Sequence, residues 1–230
     1  PNFDMLGSYF RFAFQYITAD SDFLATPEAY AAALTPKTRL VILNSPSNPC
    51  GTMYEPDAIR AICDVLAGHE RVMLISDEIY ERLVYGGRAH LSPGSLPSMA
   101  DRTITINGLS KAFAATGWRV GYTAAPLQIA KAMSKLQSQM TSSVTSFTLP
   151  ALVTALMDCS DDIEHMRKAF EERAALMESL IGTWPGVTCP PPMGAFYVFP
   201  DISTAFQKTS PGGRTIDGAG AFAEALLEET

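Results

Sequence analysis

A chain of 230 residues, 47% of them hydrophobic and 18% charged, can bury a sizeable core and has the make-up of an ordinary soluble globular protein. Its net charge of −7 speaks against a nucleic acid or an anionic membrane surface as the main partner. No apolar run approaches a membrane span, and the opening PNFDMLGSYF lacks the basic-then-apolar order of a signal peptide. Cys50, Cys63, Cys159 and Cys189 are scattered, with no Cys-x-x-Cys pair, which predicts reduced thiols in a cytoplasmic protein. His69, His90 and His165 show no metal-ligand spacing, so no metal site is expected.

In chain order, Met5 to Ala13 is compatible with a helix, and Pro27 to Leu34 reads as a short helix with proline in its first turn. Arg39 to Leu43 (RLVIL) is a continuous apolar run of the kind found in buried parallel strands. It stops at the proline-rich loop Asn44 to Gly51, where a cis peptide before Pro49 is compatible with the tight geometry. Asp57 to Ala67 carries Ile59, Ile62, Cys63 and Leu66 at helical spacing, which predicts a crossover helix. Val72 to Ile75 is the next buried strand, followed by Ser76-Asp77-Glu78-Ile79-Tyr80. A Gly-, Pro- and Ser-rich linker (Gly86 to Pro97) leads to the β-branched strand Thr103 to Asn107, and Arg119 to Ala124 suits a further strand. Helices are predicted from Pro126 to Met140 and from Leu149 to Met157. The long Asp161 to Ile181 segment carries Ile163, Met166, Phe170, Ala174, Met177 and Ile181 on one face. A strand over Ala195 to Phe199 and a closing helix from about Asp217 complete the pattern. Repeated strand, helix and strand predict an α/β fold with a mostly parallel, doubly wound sheet.

Three strands are each followed by a group able to do chemistry. Asn48 lies in the loop after the first, Asp77 directly after the second, and Lys111 soon after the third, with Arg119 eight residues further on. Ligands of open α/β sheets bind beyond the carboxyl ends of the strands, so these groups are placed where a site is expected. Ala112, Phe113, Ala114, Ala115, Gly117 and Trp118 offer Lys111 little hydrophilic cover. A partly desolvated lysine has a lowered pKa, and its neutral amine can form a Schiff base with a carbonyl. A guanidinium can grip a phosphate through two parallel hydrogen bonds. Glu78 reads as a solvated neighbour, and Trp118, Tyr122, Phe196 and Tyr197 as packing residues.

The stretch GLSKAFAATGWRVG (Gly108 to Gly121) resembles the lysine motif of class I/II pyridoxal-phosphate (PLP) dependent aminotransferases, the fold-type I family related to aspartate aminotransferase. SPSNPCG resembles that family's Asn-Pro-x-Gly signature, with Cys50 where threonine is common, and DEIYERLVY its Asp-x-x-Tyr segment. The resemblance implies that Lys111 carries the cofactor and shuttles the substrate proton, and that Asp77 keeps the pyridine nitrogen protonated. It further implies that Asn48 and Tyr80 bind the phenolate oxygen, that Ser110 and Arg119 bind the phosphate, and that Phe3 stacks on the ring. The implied activity is transfer of an amino group from an amino acid to a 2-oxo acid by a homodimer. A PLP lyase and the aminotransferase-like effector domain of a transcription regulator are the alternatives. Relatives of this kind are longer, so the chain is expected to be an internal fragment. Residues 1–160 would belong to the large PLP-binding domain, and residues 161–230 to the bridging helix and part of a smaller α+β domain. A phosphate loop and a partner-subunit tyrosine would precede it, and the arginine for the substrate carboxylate would follow.

Overall fold

The computed structural model describes residues 21–229. Phe3 and the segment Met5 to Ala13 lie outside them. Strands β1 (Leu40–Asn44), β2 (Met73–Asp77), β3 (Thr103–Gly108) and β4 (Gly121–Ala124) form one sheet in the order β1-β2-β3-β4. The first three are parallel and β4 returns antiparallel to β3. A parallel pair needs a crossover, and helix α2 (Pro56–Ala67) supplies it between β1 and β2. The connection from β2 to β3 holds short 3-10 turns at Pro93–Ser95 and Ala100–Arg102.

Helix α2 forms where the spacing places it, with Pro56 in its first turn and Asp57 at its positive end. Its four apolar positions, Ile59, Ile62, Cys63 and Leu66, are buried against Leu43, Tyr54, Val72, Leu74 and Met99 to make the main core. The other face of β1 is open: Leu40 and Ile42 are 45% and 44% exposed, so of that apolar run Leu43 alone is fully buried. Among the described residues α2 covers only the face of β1 that carries Leu43, which leaves Leu40 and Ile42 exposed where a buried run was expected.

The short helix α1 (Pro27–Ala33) precedes the sheet, and α3 (Leu127–Met140), α4 (Thr148–Asp158), α5 (Ser160–Ile181) and α6 (Ala219–Glu229) follow it. None of the helices among the described residues is long and apolar enough to cross a membrane. Helix α5 is tied to the turn beyond β2. Arg167 Nη1 donates to the Val84 carbonyl at 3.2 Å and to Glu171 at 2.7 Å, while Glu171 Oε1 accepts from Gly86 N at 2.6 Å. Met166 and Phe170 from the same helix pack on a second buried cluster of Tyr80, Leu83 and Ala195.

The strand predicted over Ala195 to Phe199 is absent. Gly194 makes a single bridge to Val84, and Ala195 turns into the left-handed region at φ 60°, which ends any extended run. This segment is instead stitched to the loop after β1: Met193 N and Gly194 N both donate to the Gly51 carbonyl, at 2.8 and 3.0 Å. Gly51 has φ 71°, and a Cβ there would meet the Tyr197 carbonyl oxygen at 2.3 Å. Within that loop, the Ser45–Pro46 and Asn48–Pro49 peptides are both cis.

Leu66→Ala, which empties a fully buried position, is expected to cost about 2–5 kcal/mol in denaturant unfolding. Gly51→Ala is expected to lower the unfolding midpoint as well, through backbone strain and the clash at Tyr197, whereas the open Gly87 should tolerate alanine with a smaller loss.

Candidate active site

Strand register decides which groups meet. Asn44 pairs with Asp77, Asp77 with Ile106, and Gly108 with Gly121, so the carboxyl ends of β1, β2 and β3 and the start of β4 share one rim. The loop holding Asn48, the turn Asp77 to Tyr80, the Lys111 segment and Arg119 all leave from it. Asn44 shapes the first loop: its side chain donates to the Asp77 carbonyl at 3.3 Å and accepts from Asn48 N at 2.8 Å.

Tyr80 is the centre of the cluster and is 2% exposed. Its hydroxyl lies 2.7 Å from that of Tyr197. Burial pushes its pKa well above the usual phenol range; the Tyr197 hydroxyl and then the Asp77 charge push the same way, and the nearby Asn48 side chain draws the other way. Asn48, Asp77 and Tyr80 are therefore neighbours. Lys111 joins them, its Nζ lying 5.5 Å from the centroid of the Tyr80 ring and 5.0 Å from that of Phe196. The apolar cover of the amine comes from these two rings. Its own segment contributes less, since Trp118 is 50% exposed and Ala114 and Gly117 also face solvent.

Asp77 is half-buried, and burial raises its carboxyl pKa. The Ile79 N–H, 3.2 Å from Oδ1, offsets this in part, and the neighbouring Glu78 adds to it. Among the described residues, neither Asp77, Lys111 nor Arg119 takes part in an ion pair. The rim thus presents a carboxylate, an amine and a guanidinium that do not neutralise one another.

Ser110 and Arg119 sit on the same rim but make local bonds. Thr116 Oγ1 donates to the Ser110 carbonyl at 2.9 Å, and Arg119 Nη1 donates to the Thr116 carbonyl at 3.0 Å. Arg119 adopts φ 56°, unusual for an arginine, and precedes the strand instead of starting it. Its side chain is exposed beside an open hollow shared with Gln137, Thr141 and Phe147.

Two groups were not legible as site residues. Phe196 and Tyr197, read from sequence as packing residues, come back onto the Lys111 amine and the Tyr80 hydroxyl. A Gly-Ala pair followed by two rings was the available signal. Glu78 is 2% exposed, contrary to the reading of a solvated neighbour. Its two oxygens accept from Ser92 Oγ at 2.8 Å and meet His90 Nε2 at 3.1 Å, which fastens the linker to the end of β2. Glu81 completes a group whose potential ligand atoms lie within 4.8 Å of one another, a juxtaposition invisible in the spacing of the histidines. Both Glu78 oxygens are already engaged by protein groups there.

An amine against aromatic faces can add to a carbonyl, a desolvated carboxylate favours a cationic partner, and a guanidinium without an ion-pair partner favours a phosphate. Comparison with known proteins agrees with that chemistry. The family described as aminotransferase class I and II matches residues 1–230. The chain is 45% identical over 212 residues to an aspartate/prephenate aminotransferase of Cereibacter sphaeroides, covering 92% of this chain and 53% of that protein. It is 44% identical over 208 residues to an aspartate aminotransferase of Geobacillus stearothermophilus, covering 90% and 51% respectively. The chain therefore spans about half the length of the curated relatives it matches. Its fold superposes on the aspartate aminotransferase of Rhizobium meliloti with a TM-score of 0.87 at 39% identity, covering 93% of this chain and 54% of that one. The aromatic aminotransferase of Pyrococcus horikoshii gives a TM-score of 0.82 at 34% identity, covering 92% and 54%. The α/β architecture is accordingly that of PLP fold type I, and the chain belongs to the class I and II aminotransferase family.

Proposed function

We propose that the protein transfers an amino group from an amino acid to a 2-oxo acid, with PLP held at the rim around Tyr80. The observation that carries this reading is the Lys111 amine beside Tyr80 and Phe196, next to a half-buried Asp77 that lacks an ionic partner among the described residues. The residues present fit the cofactor: an amine for its aldehyde, a carboxylate made receptive to positive charge by burial, and a guanidinium for its phosphate. When bound, PLP supplies the electron-withdrawing ring that makes the substrate α-carbon acidic.

The roles of the chain's own residues follow from their settings. Lys111 would hold the cofactor through its aldehyde, and its Nζ is the group that would give and take the proton at the substrate α-carbon. Asp77 would pair with the protonated ring nitrogen: burial raises its carboxyl pKa, and an opposite charge beside it would offset that cost. Tyr80 keeps its proton, because burial holds its pKa so high, and serves with the Asn48 amide as a hydrogen-bond donor to the phenolate oxygen. Arg119 grips the phosphate with Ser110 beside it, and Phe3 belongs to the same proposal as a stacking ring. Residues 1–160 form the large domain and residues 161–230 the bridging helix and part of the small one. A cytoplasmic homodimer is inferred from family membership alone. The relatives are named as aminotransferases, so neither a lyase nor a regulator's effector domain gains support. Aspartate, named for those relatives, makes a dicarboxylic amino acid the first substrate to assay.

Lys111→Ala is expected to abolish borohydride-trappable PLP, as read by mass spectrometry of the reduced protein; undiminished trapping would refute the assignment. Asp77→Asn makes a prediction of opposite sign for two measurements. An acid whose folded pKa is raised loses stability as pH climbs from its unfolded pKa to its folded one, and the loss persists above. The PLP-free Asn variant should therefore unfold at higher denaturant than the native chain at neutral pH, while its affinity for PLP falls. Equal midpoints together with unchanged affinity would remove Asp77 from the ring-nitrogen role.

A further inference from the structure

The hydroxyl of Tyr80 has three claims on it. A phenol carries one proton and two lone pairs. The Asn48 side chain lies near the oxygen and lowers its pKa, Tyr197 Oη lies 2.7 Å away, and the proposed cofactor oxygen needs a donor. The single Tyr80 proton can serve the cofactor only when Tyr197 gives its own proton to Tyr80. Should Tyr80 donate to Tyr197 instead, no proton is left for the ligand.

Tyr197 does not arrive at this position by chance of side-chain packing. Its segment is pinned by backbone to both neighbours of the site: Gly51 O in the Asn48 loop accepts from Met193 N and Gly194 N, and Leu83 O accepts from Ala195 N at 2.8 Å. Leu83 N in turn donates to the Tyr80 carbonyl at 2.8 Å, and the Tyr85 hydroxyl donates to the Ala195 carbonyl. At Gly194 a Cβ would meet Leu83 O at 2.7 Å and Pro46 Cγ at 2.8 Å, so the Gly194 backbone packs directly on the Leu83 carbonyl and the Pro46 ring. The Tyr197 ring stands edge-on to Tyr80 at 5.7 Å and against Phe196 at 4.8 Å.

We propose that Tyr197 is a positioning residue for Tyr80: its hydroxyl decides where the one Tyr80 proton points, and so how firmly Tyr80 binds the phenolate oxygen of PLP. The inference rests on the proposed site and deepens it. Hydrogen bonds in series also polarise one another, so a Tyr80 hydroxyl receiving a bond from Tyr197 is a stronger donor.

The test is a double-mutant cycle on PLP-loaded protein with Tyr197→Phe, Tyr80→Phe and the pair. Phenylalanine keeps the ring contacts and removes only the hydroxyl. Two readouts are taken: the PLP dissociation constant by fluorescence titration, and the pH midpoint of the bound cofactor's visible absorption change. Tyr197→Phe is expected to weaken PLP binding by about 2- to 10-fold, the worth of one net hydrogen bond, and to move the midpoint in the same direction as Tyr80→Phe. In the Tyr80→Phe background the second substitution should change neither readout, because its effect passes through the missing hydroxyl. An effect of equal size in both backgrounds marks Tyr197 as structural only and overturns the inference, as does no effect in either. PLP trapping that persists in Lys111→Ala, or wild-type protein that fails to bind PLP, overturns the reading of the site itself and the inference with it.

Discussion

The parallel register of β1, β2 and β3 is the constraint on which the rest depends. Pairing Asn44 with Asp77 and Asp77 with Ile106 brings three strand ends level, and the antiparallel return of β4 sets Gly121 against Gly108 at the same edge. Side chains scattered over more than seventy residues thereby share one rim. A slip of one residue would turn Asp77 to the opposite face, because strand side chains alternate. That register is in turn enforced by the core beneath it, where the apolar stripe of α2 meets Leu43 and Leu74.

Two adjacent acids show how burial sorts roles. Glu78 is the more deeply buried, yet Ser92 and His90 satisfy it, and it works as a fastening for the linker. Asp77 is less buried but has only the Ile79 N–H against the cost of desolvation, so its carboxyl is left wanting a positive charge. A satisfied buried acid is architecture. An under-satisfied one at the mouth of a sheet is the candidate binding group.

The aromatic cover of Lys111 comes from far along the chain. Phe196 stands between the lysine and Phe170 of α5, with the two phenylalanine rings stacked at 5.4 Å. Arg167 donates to the Val84 carbonyl and Glu171 accepts from Gly86 N, and these two side chains pair with each other, so α5 is fastened to the turn beyond β2. The amine is thus partly desolvated by rings that its own sequence neighbourhood does not contain.

Elements with a clear pattern were legible from residues alone: α2 from its four apolar positions, β2 from its apolar run, β3 from its β-branched run, and α5 from its stripe. The family was legible from the Lys111 and Arg119 spacing, since a long local motif survives without knowledge of its surroundings. What the chain order could not reveal was decided by long-range contact. Periodicity carries no information on which face of β1 is covered, so the exposure of Leu40 and Ile42 had to be seen. The Ala195 to Phe199 run has strand composition but no ladder partner among the described residues, and a left-handed Ala195 bends it onto Gly51. That bend carries Tyr197 to Tyr80, across 117 residues of sequence. Local residue patterns determined which groups can do chemistry; tertiary packing decided which of them touch, because contact depends on backbone crossings that no short window of sequence encodes.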